Sequence, residues 1–248
     1  MPAFLSATNL TLNNRLDNIS VHFKPGEYWH LLGANGSGKS SLLQVLSGLE
    51  NDFLGEVLIQ NKRLSAYSAF ELSDFYTLVT QHYESDFGIS VKEAFEFFNA
   101  TAELPEEVEK VLQVKILLNK PLKQLSGGER QRVHLARNIN QVWPSLKNGQ
   151  GILLLDEPTQ QLDPYFQVNV LNLLKYIVKL GNLVVQSHHD VNQTLNYADK
   201  VILLDKGKVF RLGETDKVVT PVNMTSLYNQ EFREIADPSL AKGYLLVN

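Results

Sequence analysis

The chain has 248 residues, 44% of them hydrophobic and 20% charged, a formal net charge of −4 and no cysteine. That length and apolar content suffice for a full core, as one large domain or two lobes; the missing cysteines exclude disulfides, thiol catalysis and thiolate metal sites, and the scattered Lys and Arg argue against nucleic acid as a partner. Residues 1–10 lack the basic start and apolar centre of a secretory signal, and apolar runs such as Ile152–Leu155 fall far short of the roughly 20 residues that span a bilayer, so a soluble, intracellular chain is expected unless a partner carries it to a membrane.

The first strong element is the apolar run Tyr28–Leu32, followed by Gly33-Ala34-Asn35-Gly36-Ser37-Gly38-Lys39-Ser40-Ser41 and the periodic Leu42, Leu43 and Leu46. This predicts a strand, a phosphate-binding loop and a helix over Lys39–Ser47. Glycines let the backbone curl so that its N–H groups face phosphate oxygens, with the positive end of the helix behind them. Lys39 supplies a charge to the outer phosphates, and Ser40 a hydroxyl for Mg2+. An ordinary glycine-rich turn ahead of a helix is outweighed by this context.

Strands are predicted at Glu56–Ile59 and Thr77–Thr80, the latter followed by Gln81, which alone is merely a polar residue after a strand. From His82 to Trp143 the strand signal vanishes. Val91–Asn99 and Glu106–Leu118 read as helices whose apolar residues (Phe95, Phe98, Val108, Val111, Leu112) suit a lobe core better than a ligand site. Leu125-Ser126-Gly127-Gly128-Glu129 opens a helix over Glu129–Val142. Ser126 and Glu129 match a capping box, which leaves the two glycines unexplained: each costs about 1 kcal/mol in a helix interior and less at its end. Close approach by another group, an anion at the helix N-terminus, explains them.

The buried-type strand Ile152–Leu155 ends in Asp156-Glu157-Pro158. Neighbouring side chains on a strand point apart, so Asp156 is placed to hold Mg2+ and Glu157 to activate water. Beyond it, Pro164–Lys179 and Val191–Tyr197 read as helices, and Leu183–Gln186, Val201–Leu204 and Val209–Leu212 as strands. The alternation implies an α/β fold with a parallel-sheet core, ligand chemistry at the C-terminal ends of its strands and a mostly helical subdomain inserted into it. The expected division is a nucleotide-binding core lobe of residues 1–81 and 144–248 and a helical subdomain of residues 82–143.

Leu125-Ser126-Gly127-Gly128-Glu129-Arg130-Gln131-Arg132 resembles the signature motif of ABC transporter ATPase subunits, and the resemblance, which covers essentially the whole chain, implies a P-loop NTPase (RecA-like) parallel-sheet core of the ABC ATPase type. It implies that Asp156-Glu157 ends the Walker B strand, with Glu157 the catalytic base. Gln81 would be the Q-loop residue linking Mg2+ to the helical lobe, and Asp163 the D-loop acid, although Gln160-Gln161 replaces the usual small residues. In Ser187-His188-His189-Asp190 the role of steadying the γ-phosphate goes to His189, with His188 in a position normally held by Ser or Thr. A His-His-Asp metal site is the rival reading, without an identifiable third ligand. The resemblance further implies ATP and Mg2+, the latter held by Ser40, Gln81 and Asp156. It implies a head-to-tail homodimer with each ATP between one phosphate loop and the other copy's signature motif. An integral-membrane permease, two copies of it, and a periplasmic or surface substrate-binding protein complete the implied system, at the cytoplasmic face of the bacterial inner membrane. The family commonly stacks adenine on an aromatic residue early in the chain, whereas Leu5 through Val21 contains none.

Within the family, the stretch Val142–Gly151 and the segment Ser187–Leu195 resemble cobalamin-importer ATPases. The tail from Thr220-Pro221 to Tyr228 resembles the wider group importing cobalamin, iron-siderophore complexes and haem. As a surface stretch rich in Pro, Gly and Asn, Val142–Gly151 also reads as an ordinary tolerated loop. A soluble ABC ATPase of cofactor assembly is the competing class. Residues around Tyr83–Phe98, following Gln81, are the expected permease-docking surface.

Overall fold

The computed structural model describes residues 4–80, 88–98, 103–235 and 244–247. They fall into two compact units, Met1–Ala66 with Val185–Asn248, and Tyr67–Val184. The first unit begins with β1 (Leu5–Leu12), β2 (Leu16–Phe23), β3 (Tyr28–Leu32), α1 (Lys39–Ser47), β4 (Leu54–Ile59) and β5 (Lys62–Arg63). The second carries α2 (Ala69–Ser73), β6 (Tyr76–Val79), α3 (Val91–Phe98), α4 (Glu106–Leu112), α5 (Gly127–Lys147), β7 (Ile152–Leu155) and α6 (Pro164–Lys179). The chain returns to the first unit along β8 (Leu183–Ser187). It continues through α7 (Val191–Tyr197), β9 (Lys200–Asp205), β10 (Lys208–Glu214), α8 (Thr215–Val218), α9 (Pro221–Tyr228), β11 (Phe232–Ile235) and β12 (Tyr244–Val247).

In the first unit an antiparallel sheet runs β2-β1-β4-β5, while β3 pairs in parallel with β9 and β9 antiparallel with β10. All five residues of β3 are buried, as expected of a strand covered on both faces. A core of Leu32, Val191, Leu195, Val201, Leu203, Met224 and Leu227 packs the last helices of the unit together. In the second unit β6 and β7 pair in parallel, and β7 is likewise wholly buried.

β4 matches the strand predicted at Glu56–Ile59, whereas β1 and β2 escape the strand patterns, β1 for a geometric reason. In β1 the buried Leu5 and Ala7 are followed by Leu10 and Leu12, a change of phase at a register shift that contains Asn9 at φ 51°. An extra residue in a strand moves every later side chain to the other parity, so alternation fails as a signal.

Two helix ends also differ from expectation. α4 stops at Leu112, not Leu118, because Gln113 turns left-handed at φ 49° and the Glu109 carboxylate accepts the N–H groups of Val114 and Lys115, both at 3.1 Å. α5 runs past Val142 to Lys147 despite Pro144 inside it. A proline there removes one helical hydrogen bond, but Val142, Trp143 and Leu146 are all buried and hold the last turn. Six of the ten residues Val142–Gly151 are therefore helix, and Val142, Trp143 and Leu146 among them are buried.

His134, on α5, is buried, and this burial, joined by the nearby Arg137 charge, pushes its imidazole down to about 4. Burial lowers His30 and His188 as well. The unfolded chain protonates His134 at about pH 6.5 while the native state keeps it neutral down to about 4, so between those values the unfolded state binds more protons. Stability is full above that window and falls with pH inside it. His134 alone should account for a loss of about 2 to 3 kcal/mol from pH 7 to pH 4.5. Denaturant titrations at both pH values should show a smaller loss for His134→Gln, and an unchanged loss would contradict the burial argument.

Candidate functional site

Residues of the phosphate loop lie in the first unit, between β3 and α1. Lys39 is buried and donates through Nζ to the carbonyls of Gly33 at 2.7 Å and Ala34 at 3.1 Å, folding over the loop. The loop turns on a Ser37 N–H to Ala34 carbonyl bond of 3.1 Å. It is held from below: the Gly207 N–H donates to the Ser37 carbonyl at 3.0 Å, and the Asp17 N–H to the Gly207 carbonyl at 2.8 Å. The N-cap of α1 is Gly38, which offers no side chain to cap the helix. A helix start without a side-chain cap, the helix dipole and a lysine ammonium are features that suit an anion such as phosphate.

The segment after β8 begins where its backbone meets the end of β3, with the His188 N–H donating to the Leu31 carbonyl at 3.0 Å. The two adjacent histidines part there. His188 is buried, its Nε2 lies 2.9 Å from Gln193 Oε1, and its ring stands edge-on to His30 at 5.2 Å. His189 is exposed. His30 is itself pinned, with Nδ1 2.9 Å from the Thr194 hydroxyl, which donates to the Asp190 carbonyl at 3.0 Å. Asp190 caps α7, accepting the N–H groups of Asn192 and Gln193. Among the described residues no group of three or more His, Cys, Asp or Glu is placed to hold a metal ion.

In the second unit β7 delivers Asp156, which is buried and whose N–H donates to the Val79 carbonyl at 2.8 Å. Glu157 follows at φ 50°. A left-handed backbone is uncommon for a residue with a side chain and costs on the order of 1 kcal/mol or more; here it falls on the acid at the strand end. Asp163 caps α6, accepting the Phe166 N–H at 3.1 Å.

Leu125 is buried, and Ser126 and Glu129 form the capping box of α5. The Glu129 carboxylate accepts the Ser126 N–H at 2.9 Å and a bond from Lys120 Nζ at 2.9 Å. These partners, Lys120 foremost, hold the carboxyl down at about 2. Gln131, one turn on, donates to the Pro158 carbonyl at 2.9 Å and so ties α5 to the loop after Glu157. Nothing in the sequence beyond membership of the motif marked Gln131 for that job. The glycines meet a neighbour that pattern reading also missed: a Cβ on Gly127 would lie 3.0 Å from Gln161 Oε1, and one on Gly128 3.1 Å from the Gln161 main-chain oxygen.

The predicted residues thus divide: Gly33 to Ser41 and His189 in the first unit; Leu125 to Glu129, Asp156, Glu157 and Asp163 in the second. Gln81 lies outside the described residues, as does the first part of the expected docking surface, Tyr83 onward.

Residues 16–160 match the family model described as ABC transporter. The vitamin B12 import ATP-binding protein of Vibrio atlanticus is 31% identical over 245 residues, 92% of this chain and 94% of that protein. The hemin import ATP-binding protein of Escherichia coli O157:H7 is 35% identical over 246 residues, 95% and 96% of the two chains. Among solved structures, an ABC transporter described as of the metal-chelate type superposes with a TM-score of 0.77 at 27% identity, covering 100% of this chain and 98% of that one. A dimeric bacterial ABC transporter cassette gives 0.70 at 26% identity, over 85% and 98%. The chain belongs to the ABC transporter family. Within it the protein is an ATP-binding subunit with the P-loop NTPase fold of the ABC cassette, and an ATPase.

Proposed function

We propose that the protein powers import of a metal-bearing macrocycle, cobalamin in the first reading, by hydrolysing ATP at the cytoplasmic face of the inner membrane, bound to two copies of an integral-membrane permease and served by a substrate-binding protein. Full-length similarity to importer subunits carries the reading. The segments Val142–Gly151 and Ser187–Leu195 favour cobalamin. Haem is the second reading, favoured by hemin import relatives that are 35% and 36% identical. No described helix is long and apolar enough to cross a membrane, which fits a peripheral subunit.

In this reading Gly33 to Ser41 cradle the phosphates, with Lys39 turning from its loop carbonyls to the outer phosphate oxygens. The Ser40 hydroxyl and the buried Asp156 carboxylate are hard oxygen donors of the type Mg2+ takes; with Gln81 they would hold the ion, which supplies charge neutralisation at the β- and γ-phosphates. Glu157 takes the proton of the attacking water. The exposed His189 reaches the γ-phosphate while buried His188 anchors the segment. Ser126 to Glu129 receive the nucleotide held by a second copy, with Asp163 following at the D-loop, so two copies form two pockets. The core lobe, 1–81 with 144–248, and the helical subdomain, 82–143, move against each other as nucleotide binds and leaves.

The test is purification from native membranes. An integral-membrane permease should accompany the chain, and the visible spectrum of ligand bound to the whole complex should be that of a cobalamin. A haem spectrum would select the second reading, and a chain recovered without any permease would sink both.

A further inference from the structure

Gln161 sits on the turn that leads into α6, and its main chain is held firmly. The Leu162 N–H donates to the Thr159 carbonyl at 3.1 Å, Leu162 is buried, and Gln167 Nε2 donates to the Leu162 carbonyl at 2.9 Å. The side chain, by contrast, is exposed. It lies against the first turn of α5: a single added carbon on Gly127 would come within 3.0 Å of Oε1 and 3.6 Å of Cδ. An electron-rich amide oxygen therefore stands beside Gly127, at the positive end of a 21-residue helix.

We propose that Gln161 is a gate on the signature segment: its amide occupies the approach to Gly127 and must rotate aside before the terminal phosphate of a nucleoside triphosphate, carried by a second copy, can dock there. This rests on the two-pocket reading given above. Moving the amide oxygen off the positive end of the helix costs up to about 1 kcal/mol, or about fivefold in an equilibrium. The gate thus tunes the ATP concentration at which two copies close, without touching the pocket that first binds nucleotide.

The experiment uses the full chain carrying Glu157→Gln, so that closed dimers accumulate, and reads dimer fraction against ATP by analytical ultracentrifugation. Gln161→Ala should lower the half-maximal ATP concentration about fivefold. Gln161→Glu, which places a full negative charge against the incoming phosphate, should raise it about tenfold. ADP affinity, which reports the phosphate loop's own pocket, should be equal in all three proteins. An Ala variant that needs as much ATP as its parent, or more, overturns the gate, and so does a changed ADP affinity. If the parent fails to dimerise even at saturating ATP, the two-pocket reading itself falls, a result separable from failure of the gate alone.

Discussion

Glu157→Gln should lower ATP turnover by about a hundredfold or more while ATP still binds, and should leave a nucleotide-loaded dimer that does not reopen. The replacement is nearly isosteric, and Gln tolerates the left-handed backbone at φ 50° no better or worse than Glu, so the change isolates the carboxylate's chemistry from its setting. An amide cannot take a proton from water at neutral pH, and a positioned general base contributes on the order of a hundred- to ten-thousandfold. Rapid-quench measurement of a single turnover, together with filter retention of labelled ATP, reads both quantities. Turnover near that of the parent would remove Glu157 from the role of base and shift attention to Asp156 or His189.

Gly33→Ala is expected to have the second large effect, and here the cause is space. A Cβ on Gly33 would lie 2.3 Å from the Leu204 carbonyl oxygen and 2.5 Å from Ser37 Oγ, at φ +154°. Neither neighbour yields cheaply: Leu204 belongs to a fully buried stretch of β9, and Ser37 is buried inside the loop. The loop must therefore shift, at a cost of about 3 kcal/mol or more, which lowers the melting temperature by roughly 6 to 12 °C in a chain of this size. Because Lys39 bonds to the Gly33 carbonyl, a displaced Gly33 also releases the lysine, and nucleotide affinity should fall with stability. Gly36→Ala is the control. No heavy atom stands within 4 Å of its Cβ position, so only the backbone preference, about 1 kcal/mol, is at stake. Calorimetry and nucleotide titration on the pair would decide; equal behaviour of the two variants would mean that the loop does not adopt this conformation.

Legibility in the sequence followed locality. β3, α1 and the loop between them are 20 consecutive residues, Tyr28–Ser47, and the residue types that mark their chemistry all lie within that stretch. The same holds for the capping box of α5, where Ser126 and Glu129 satisfy one another three residues apart, and for β7, whose continuous apolar run ends in its two acids. These segments determined the family and the reaction class without reference to any distant contact.

Other features depended on residues far apart in the chain, and only the fold decided them. Of two adjacent histidines, His188 is buried and His189 exposed because Leu31 and His30, more than 150 positions earlier, receive the first of them. β1 and β2 exist because they pair with one another and β1 with β4, and a bulge between Ala7 and Leu10 breaks the alternation of side chains in β1. α5 continues through Pro144 because Trp143 and Leu146 find buried places. The glycines at the start of α5 suggested close approach by another group, and the fold places Gln161 beside both of them. Local hydrogen bonding and periodicity are written in neighbouring residues; burial, and the question of which side chain wins a given space, arise only when distant parts of the chain meet.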